Sequence, residues 1–290
     1  MKSKVYFTKE ITPSKMVEMY KVMGRELKGK IAVKVHSGEV GNQNFLRPEF
    51  MKDIIDYVDG TVVECNTAYE GKRNTTKAHW ETMKEHGWSE MFKVDIMDEK
   101  EDMEIPVKNG KILDKNYVGK NLENYDSLLV LSHFKGHPMG GYGGALKNIS
   151  IGIASSKGKA YIHGGGTFDD MFKADHDSFL ISMADSAKSI MDYEKDNIAF
   201  INVMCNMSVD CDCCAVAEDP KIKDIGILSS LDPVALDQAC INLVYNSKDE
   251  GKKDLIERIE SRNGLLTIKA ANELKIGLRE YELVDVDIDK

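Results

Sequence analysis

Four of the chain's six cysteines, Cys205, Cys211, Cys213 and Cys214, fall within the ten residues CNMSVDCDCC. Thiolates bind soft metals and clusters. Cys211 and Cys213 are too close in sequence for an easy disulfide, and Asp210 and Asp212 are unsuited to an apolar core. Cys211 and Cys213 are therefore the expected metal ligands, with Cys205 and Cys214 next and the set completed by His133, His137 or another group from a neighbouring loop. The spacing matches neither C-x-x-C nor a ferredoxin arrangement. The cargo stays open between an iron-sulfur cluster and a single soft ion, Fe, Zn or Ni. A structural or nucleophilic role for the thiols is the competing reading. Cys65 and Cys240 sit in apolar segments and read as ordinary buried thiols.

Three more segments carry chemistry. In SHFKGHPMGGYGGALKN (132–148), two histidines and two lysines accompany a glycine-rich stretch. Glycines such as Gly143 and Gly144 let backbone amides approach a ligand, and Lys147 adds charge for an anion. The segment is neither a Walker loop nor GxGxxG; a tight turn with incidental histidines is the plainer reading. KVHSGEVGNQNFLRP (34–48) brings together Lys34, His36 and Glu39, where the glutamate can orient the imidazole as base or ligand. ECNTAYEGKR (64–73) offers Asn66, Tyr69 and Arg73, whose planar guanidinium suits a carboxylate or phosphate.

All four segments follow apolar, β-branched runs, which are expected strands at 4–7, 31–35, 61–65, 127–132, 199–204 and 224–229. Helical periodicity predicts helices over 13–27 with Thr12 as N-cap, 48–58, 75–86 and 177–193, and another from Asp232 to Tyr245. This alternation predicts an α/β fold, with mostly parallel or mixed sheets and flanking helices in two lobes around a cleft. The expected lobes are residues 1–100 and 101–290, the second carrying the His/Gly loop and the cysteine cluster. The polar stretch 98–121 reads as an antiparallel excursion or lobe boundary. Ligands in open α/β sheets bind beyond the carboxyl ends of strands, so the four loops are expected to meet in one cleft.

The 48 acidic and 39 basic residues give a formal charge of −9, which argues against nucleic acid or an anionic membrane as main partner. The amino-terminal residues lack the apolar run of a signal peptide, and no segment is apolar enough to span a bilayer. The expected location is the cytoplasm, where reduced thiols favour ligation over disulfides.

The motifs KVHSGEVGN (34–42), ECNTAYEGKR (64–73), HFKGHPMGGYGGALKN (133–148), CDC (211–213) and DIGILSSLDPVALDQA (224–239) together resemble one family. It is that of uncharacterised iron-sulfur centre proteins, a domain of unknown function numbered 362, and the likeness spans nearly the whole chain. Many members carry a C-x-x-C-x-x-C segment after the position of His163, whereas HGGGTFDDMFKADHDSF (163–179) has no cysteine here. The GHPMGGYGGALKN stretch (136–148) also resembles a short segment of the lactate racemase superfamily, which uses a nickel-pincer cofactor attached to a lysine. That likeness implies hydroxy-acid chemistry, with Lys147 in the lysine region and His133 or His137 as a catalytic or metal-binding histidine.

The expected function is thus a metal- or iron-sulfur-binding enzyme of redox or proton-transfer chemistry on a small anionic molecule. His36, Glu39, His133, His137 and Lys147 are its candidate catalytic groups. Lys34, Asn66, Tyr69, Arg73, Gly143 and Gly144 are its candidate substrate contacts. A redox partner protein and a homodimer are further expectations. The alternative is a non-catalytic protein, either a metal or cluster carrier with its sulfurs on an open face or a docking site for a partner protein.

Overall fold

The computed structural model describes residues 2–169 and 171–287. The first part of the chain runs β1 (Ser3–Thr8), α1 (Pro13–Lys21), β2 (Ile31–Lys34), α2 (Pro48–Tyr57), β3 (Thr61–Glu64), α3 (Thr76–Glu85), α4 (Trp88–Met91) and β4 (Val94–Ile96). A hairpin, β5 (Asp102–Pro106) and β6 (Lys115–Gly119), leads to β7 (Ser127–His133). A small hairpin, β8 (Lys135–His137) and β9 (Gly141–Gly143), precedes α5 (Ala145–Ser150), α6 (Ser156–His163) and α7 (His176–Glu194). The chain continues through β10 (Ile198–Met204), β11 (Gly226–Ser230), α8 (Pro233–Asn246), α9 (Lys252–Ser261), α10 (Leu265–Glu273) and β12 (Tyr281–Asp285).

Eight strands form one sheet in the order β12, β1, β11, β10, β7, β2, β3, β4. Only β11 runs against its neighbours; the other pairings are parallel. This is the mostly parallel α/β sheet that the runs of β-branched residues predict. Strands from either side of residue 100 share it, because β2 pairs with β7. The polar stretch after residue 98 forms the antiparallel hairpin β5 and β6.

Side chains of successive strand residues point to opposite faces. Ala32, Leu128, Val130, Phe200 and Leu228 pack into one apolar cluster with residues of α5, α7, α8 and α10. Ile31, Val33, Leu129, Leu131 and Ile201 pack into a second with α1 and α2. The sheet is therefore covered on both faces, which explains why β7 and β10 are buried along their whole length. Each buried Val, Leu or Ile contributes roughly 1.5–3 kcal/mol, so these two strands form a rigid floor.

Caps fix where the helices begin. Thr12 and Thr75 accept from the backbone N–H three residues on, at 3.3 Å each. Asp232 accepts from Val234 and Ala235 at 2.9 and 3.0 Å. Helix α1 is shorter than its pattern predicts. Gly24 takes a left-handed φ of +68°, and the Leu27 N–H turns back to the Tyr20 hydroxyl at 2.8 Å. Among the described residues, no helix is long and apolar enough to cross a membrane.

Candidate functional site

Strands β10, β7, β2 and β3 are adjacent and parallel, so their carboxyl ends lie along one edge. The loops that follow them carry the four segments singled out above. There Lys34, at the end of β2, meets Glu64, at the end of β3, with Nζ 2.7 Å from Oε2. Lys34 also donates to Asn148 Oδ1 at 3.1 Å and to the Val35 carbonyl. Asn148 donates in turn to the Leu131 carbonyl and the Ser132 hydroxyl at 3.1 and 3.0 Å, tying α5 to β7. The Ser37 N–H and hydroxyl donate to Glu64 Oε1 at 2.8 and 3.1 Å. Burial opposes its charge, yet Lys34, His36 and Arg73 hold the Glu64 carboxyl well below the usual range.

Arg73 is 3 % exposed and shares this network. Its Nε lies 3.2 Å from Glu39 Oε2 and its Nη1 3.6 Å from Glu64 Oε1. Glu39 is held by the Lys72 N–H at 2.7 Å. The remaining amino group of Arg73, Nη2, is buried without a partner.

The cysteine loop closes over this edge. The Cys214 N–H donates to the Cys211 carbonyl at 2.9 Å, and Asn42 Nδ2 donates to the Cys214 carbonyl at 2.8 Å, which shapes residues 211–214 into a tight turn. Asp212 points inward. Its carboxylate lies 2.7 Å from Lys135 Nζ and 3.0 Å from His133 Nδ1. Asp212 is 1 % exposed, in a polar niche and not an apolar core, because Lys135 and His133 meet it there. Burial works against its charge, but His133 and Lys135 hold the carboxyl well below the usual range.

This turn sets Cys211 and Cys213 beside His137. One ligand atom from each lies within 4.8 Å of the others, a group that can hold a metal ion. Lys147 Nζ donates to Cys211 Sγ at 3.9 Å. Burial and Cys213 push the Cys211 thiol up, but Lys147 and Lys135 outweigh them and hold it below its ordinary value. Cys211 is thus disposed to be a thiolate.

Hydrogen bonds sort the histidines by role. His133 faces acceptors on both sides, Asp212 at Nδ1 and the Cys205 carbonyl at Nε2, 2.6 Å away. Both of its nitrogens are taken up by these partners, so neither is free for a metal. His137 accepts at Nδ1 from the Met139 and Gly140 N–H groups at 3.2 and 2.8 Å. Its Nε2 then carries the proton and faces Cys213 Sγ at 3.9 Å. His36 repeats the pattern, accepting from the Gly38 N–H at 3.2 Å and hydrogen-bonding to Cys211. Burial, with the Arg73 charge next, pushes His36 down to about 4, and burial with Lys147 does the same to His137. Both are neutral N–H donors to sulfur.

Between these groups is a cavity of about 50 Å³ lined by Lys34, Tyr69, Arg73, Gly144, Lys147 and Cys213, among others. Lys135 and Lys159 line it too, and Glu64 is its only carboxylate. The Tyr69 hydroxyl hydrogen-bonds to Cys213; burial, then Cys213, pushes it well above its ordinary value.

A family model described as Domain of unknown function (DUF362) matches residues 31–242. The chain belongs to the DUF362 family. Its matched region starts at β2 and ends in α8, and so contains every element that brings a residue to this site. No curated protein matches the chain. Among solved structures, the chain is similar to the lactate racemase apoprotein of Thermoanaerobacterium thermosaccharolyticum, at 14% identity and a TM-score of 0.46, covering 97% of this chain and 82% of that one. It is also similar to a protein of Thermotoga maritima, at 10% identity and a TM-score of 0.40, covering 90% of this chain and 58% of that one.

The DUF362 site brings together most residues singled out in the sequence. Lys34, His36, Tyr69, Arg73, His133, Gly143, Gly144, Lys147 and Cys213 all line the cavity. Glu39 braces Arg73 from outside it. Asn66 does not line it, since its amide is spent on Thr76 and His79 at 3.0 and 3.2 Å. Cys205 packs in the apolar cluster beneath α1 and α2 and lends its carbonyl to His133; Cys214 stands outside the convergent group.

Glu64, Asn148 and Lys159 line the cavity and escaped sequence reasoning. Lys159 lies on α6, where the His163 Nδ1 four residues on donates to its carbonyl at 2.7 Å; that i, i+4 spacing was the available signal.

One glycine fixes the cysteine loop. A Cβ on Gly136 would lie 2.2 Å from the Val209 carbonyl oxygen, while the Gly136 N–H donates to Ser208 at 2.8 Å. Gly136→Ala is expected to cost about 1–3 kcal/mol by overpacking and to displace residues 205–214. Urea unfolding checks it, and an unchanged midpoint would refute the close approach.

Proposed function

We propose that this protein is a metal-dependent enzyme that holds a soft ion on Cys211 and Cys213 and acts on a small anion in the adjoining cavity. The observation that carries the proposal is one juxtaposition. Two sulfurs and an imidazole nitrogen lie within 4.8 Å of one another beside a cavity lined by five lysine or arginine side chains and one carboxylate. Thiolates select soft ions, and His137, whose Nδ1 is taken by two backbone N–H groups, supports the sulfurs as an N–H donor.

Arg73 supports the anion. A buried N–H group without a partner costs about 1–3 kcal/mol, a cost that an oxyanion on Nη2 would remove. A single water needs roughly 10–15 Å³, so a 50 Å³ cavity limits the substrate to a few heavy atoms. Lys147 and Tyr69 would orient that anion toward the sulfurs, and the buried walls would exclude bulk water. A bound metal would supply Lewis acidity or a redox couple, the two chemistries that the site accommodates. A carrier needs its sulfurs on an open face, whereas Cys211 is 0 % exposed, which supports the enzyme reading.

Anaerobic purification with metal analysis and a visible spectrum tests this. One soft ion per chain is expected, and Cys211→Ser or Cys213→Ser should each weaken binding by more than about 100-fold, beyond the usual effect of losing a supporting residue. Several irons with sulfide would replace the single ion by a cluster. A metal-free protein, active and unaffected by the double substitution, would sink the proposal.

A further inference from the structure

Of the five lysine and arginine side chains that line the cavity, four face a carboxylate or a thiol. Lys34 and Lys135 each hold a carboxylate at 2.7 Å, Arg73 holds Glu39 at 3.2 Å, and Lys147 faces the Cys211 sulfur at 3.9 Å. Among the described residues, Lys159 is the exception. Its Nζ donates to two neutral acceptors, the Ala154 carbonyl at 2.6 Å and the Cys65 carbonyl at 3.3 Å. Asp98, whose charge reaches it, spends its carboxylate on the Asn66 and Ser156 N–H groups at 2.9 and 2.8 Å.

An amine held in this way has a direction. Two of its hydrogens go to the two carbonyls, and the remaining position of Nζ is left for the cavity that Lys159 lines. It carries a proton there, or a lone pair once that proton has gone. Helix α6 fixes the amine in place, because Ser155 accepts from the Gly158 N–H at 3.1 Å and its own N–H ties the helix to β6 through the Tyr117 carbonyl at 3.0 Å. Lys159 is 5 % exposed. Burial, with Arg73 acting in the same direction, holds its amine below the ordinary lysine value against the pull of Cys65, Asp98 and Glu64. A desolvated lysine beside other cations is the form in which this side chain becomes a nucleophile.

We infer that Lys159 is a covalent catalytic residue whose amine forms an imine with a small 2-oxo acid, the carboxylate of that acid resting on Arg73 Nη2. The inference rests on the anion reading of the cavity and narrows the substrate to a short carboxylate with an adjoining aldehyde or ketone. The lone pair of Nζ adds to the carbonyl carbon, and the carbonyl oxygen leaves as water with the two amine hydrogens. The imine nitrogen then takes one proton from solvent and keeps the Ala154 carbonyl as its acceptor. No electrons are gained or lost overall, and water reverses the step. A protonated imine draws electrons from the neighbouring carbon, which makes a proton there easier to remove.

The test is reductive trapping of the full chain, purified anaerobically, with glyoxylate and cyanoborohydride at neutral pH. Glyoxylate has no neighbouring C–H and stops at the imine, and reduction leaves a carboxymethyl group that peptide mass spectrometry locates. An exposed lysine titrates near 10.4, so roughly one in a thousand is neutral at pH 7. Lys159 is expected to be labelled about tenfold faster or more than the exposed lysines of the same chain, since desolvation activates it. The wild-type peptide map carries this comparison without a variant; Lys159→Met should remove the fast label. Labelling of Lys159 no faster than that of exposed lysines would overturn the proposal. Acetaldehyde, which lacks the carboxylate, should label Lys159 at least about tenfold more slowly, because it forgoes the charge-assisted bond to Arg73. Equal rates with the two aldehydes would overturn the substrate class. If trapping fails, calorimetric titration with glyoxylate separates the two failures: binding heat leaves the anion reading standing and overturns the imine alone, while no binding overturns both.

Discussion

Asp212→Asn is expected to destabilise the protein by about 3–5 kcal/mol at neutral pH, the usual cost of removing one partner of a buried ion pair. Asparagine keeps the volume and removes the charge. Lys135, 4 % exposed, then loses its carboxylate at 2.7 Å, and the new amide sets N–H against either Lys135 or His133, both donors. The Asp212 carbonyl also accepts from the Glu39 N–H at 2.8 Å, so the side chain anchors a turn that the backbone ties to the Arg73–Glu39 pair.

The effect has a defined pH dependence. The native carboxyl titrates well below its unfolded value, so its contribution is fully present above about pH 4 and is lost as acid protonates the native group. The difference between wild type and variant should shrink below that pH. Urea unfolding at several pH values measures both. The double variant Asp212→Asn, Lys135→Met should be less destabilised than the sum of the singles, because each removes the other's uncompensated charge. A cost under about 1 kcal/mol for Asp212→Asn would mean that the buried pair does not hold the turn.

Acid should weaken the fold well before Asp212 responds. Burial pushes His79 down to about 3 and His163 down to about 4. His79 Nε2 has no partner to share a proton, and Lys147 and Lys159 oppose charge on His163. An unfolded chain binds a proton on each imidazole near pH 6.5. Between that pH and about 4 the unfolded state therefore carries protons that the native state refuses. The contribution of the two neutral imidazoles is complete above about pH 6.5 and falls as pH drops through this window, by on the order of 3 kcal/mol for His163 alone. Replacing both residues by glutamine should make the pH dependence shallower across the window, whatever the starting stability of the variant. A variant that retained the wild-type slope would show that the two imidazoles titrate normally.

The strands were readable because this sheet is buried on both faces, which forces unbroken apolar runs such as SLLVLS and AFINVM. The helices with side-chain caps were readable at Thr12, Thr75 and Asp232 for the same kind of local reason. The short strand β4, the closing strand β12 and the helices α9 and α10 were not picked out. β4 has three residues, and α9 and α10 begin at glycines without a side-chain cap. The inward turn of Asp212 was not legible, because the lysine and histidine that meet it are 77 and 79 residues away in the chain.

What the sequence by itself determined is the set of parts: which runs become strands, which loops follow them, and that Cys211 and Cys213 share a turn with Lys147, Arg73 and His36 available elsewhere. Parallel strands made the meeting of those loops at one sheet edge predictable. Only the tertiary structure decided the roles. It saturates His133, aims the N–H groups of His36 and His137 at sulfur, leaves Arg73 Nη2 unpaired and separates Cys205 from the cysteines with which it is clustered in sequence. The physical reason is that a hydrogen bond or a buried charge is settled by its partner within about 3 Å, and here most partners lie far away along the chain.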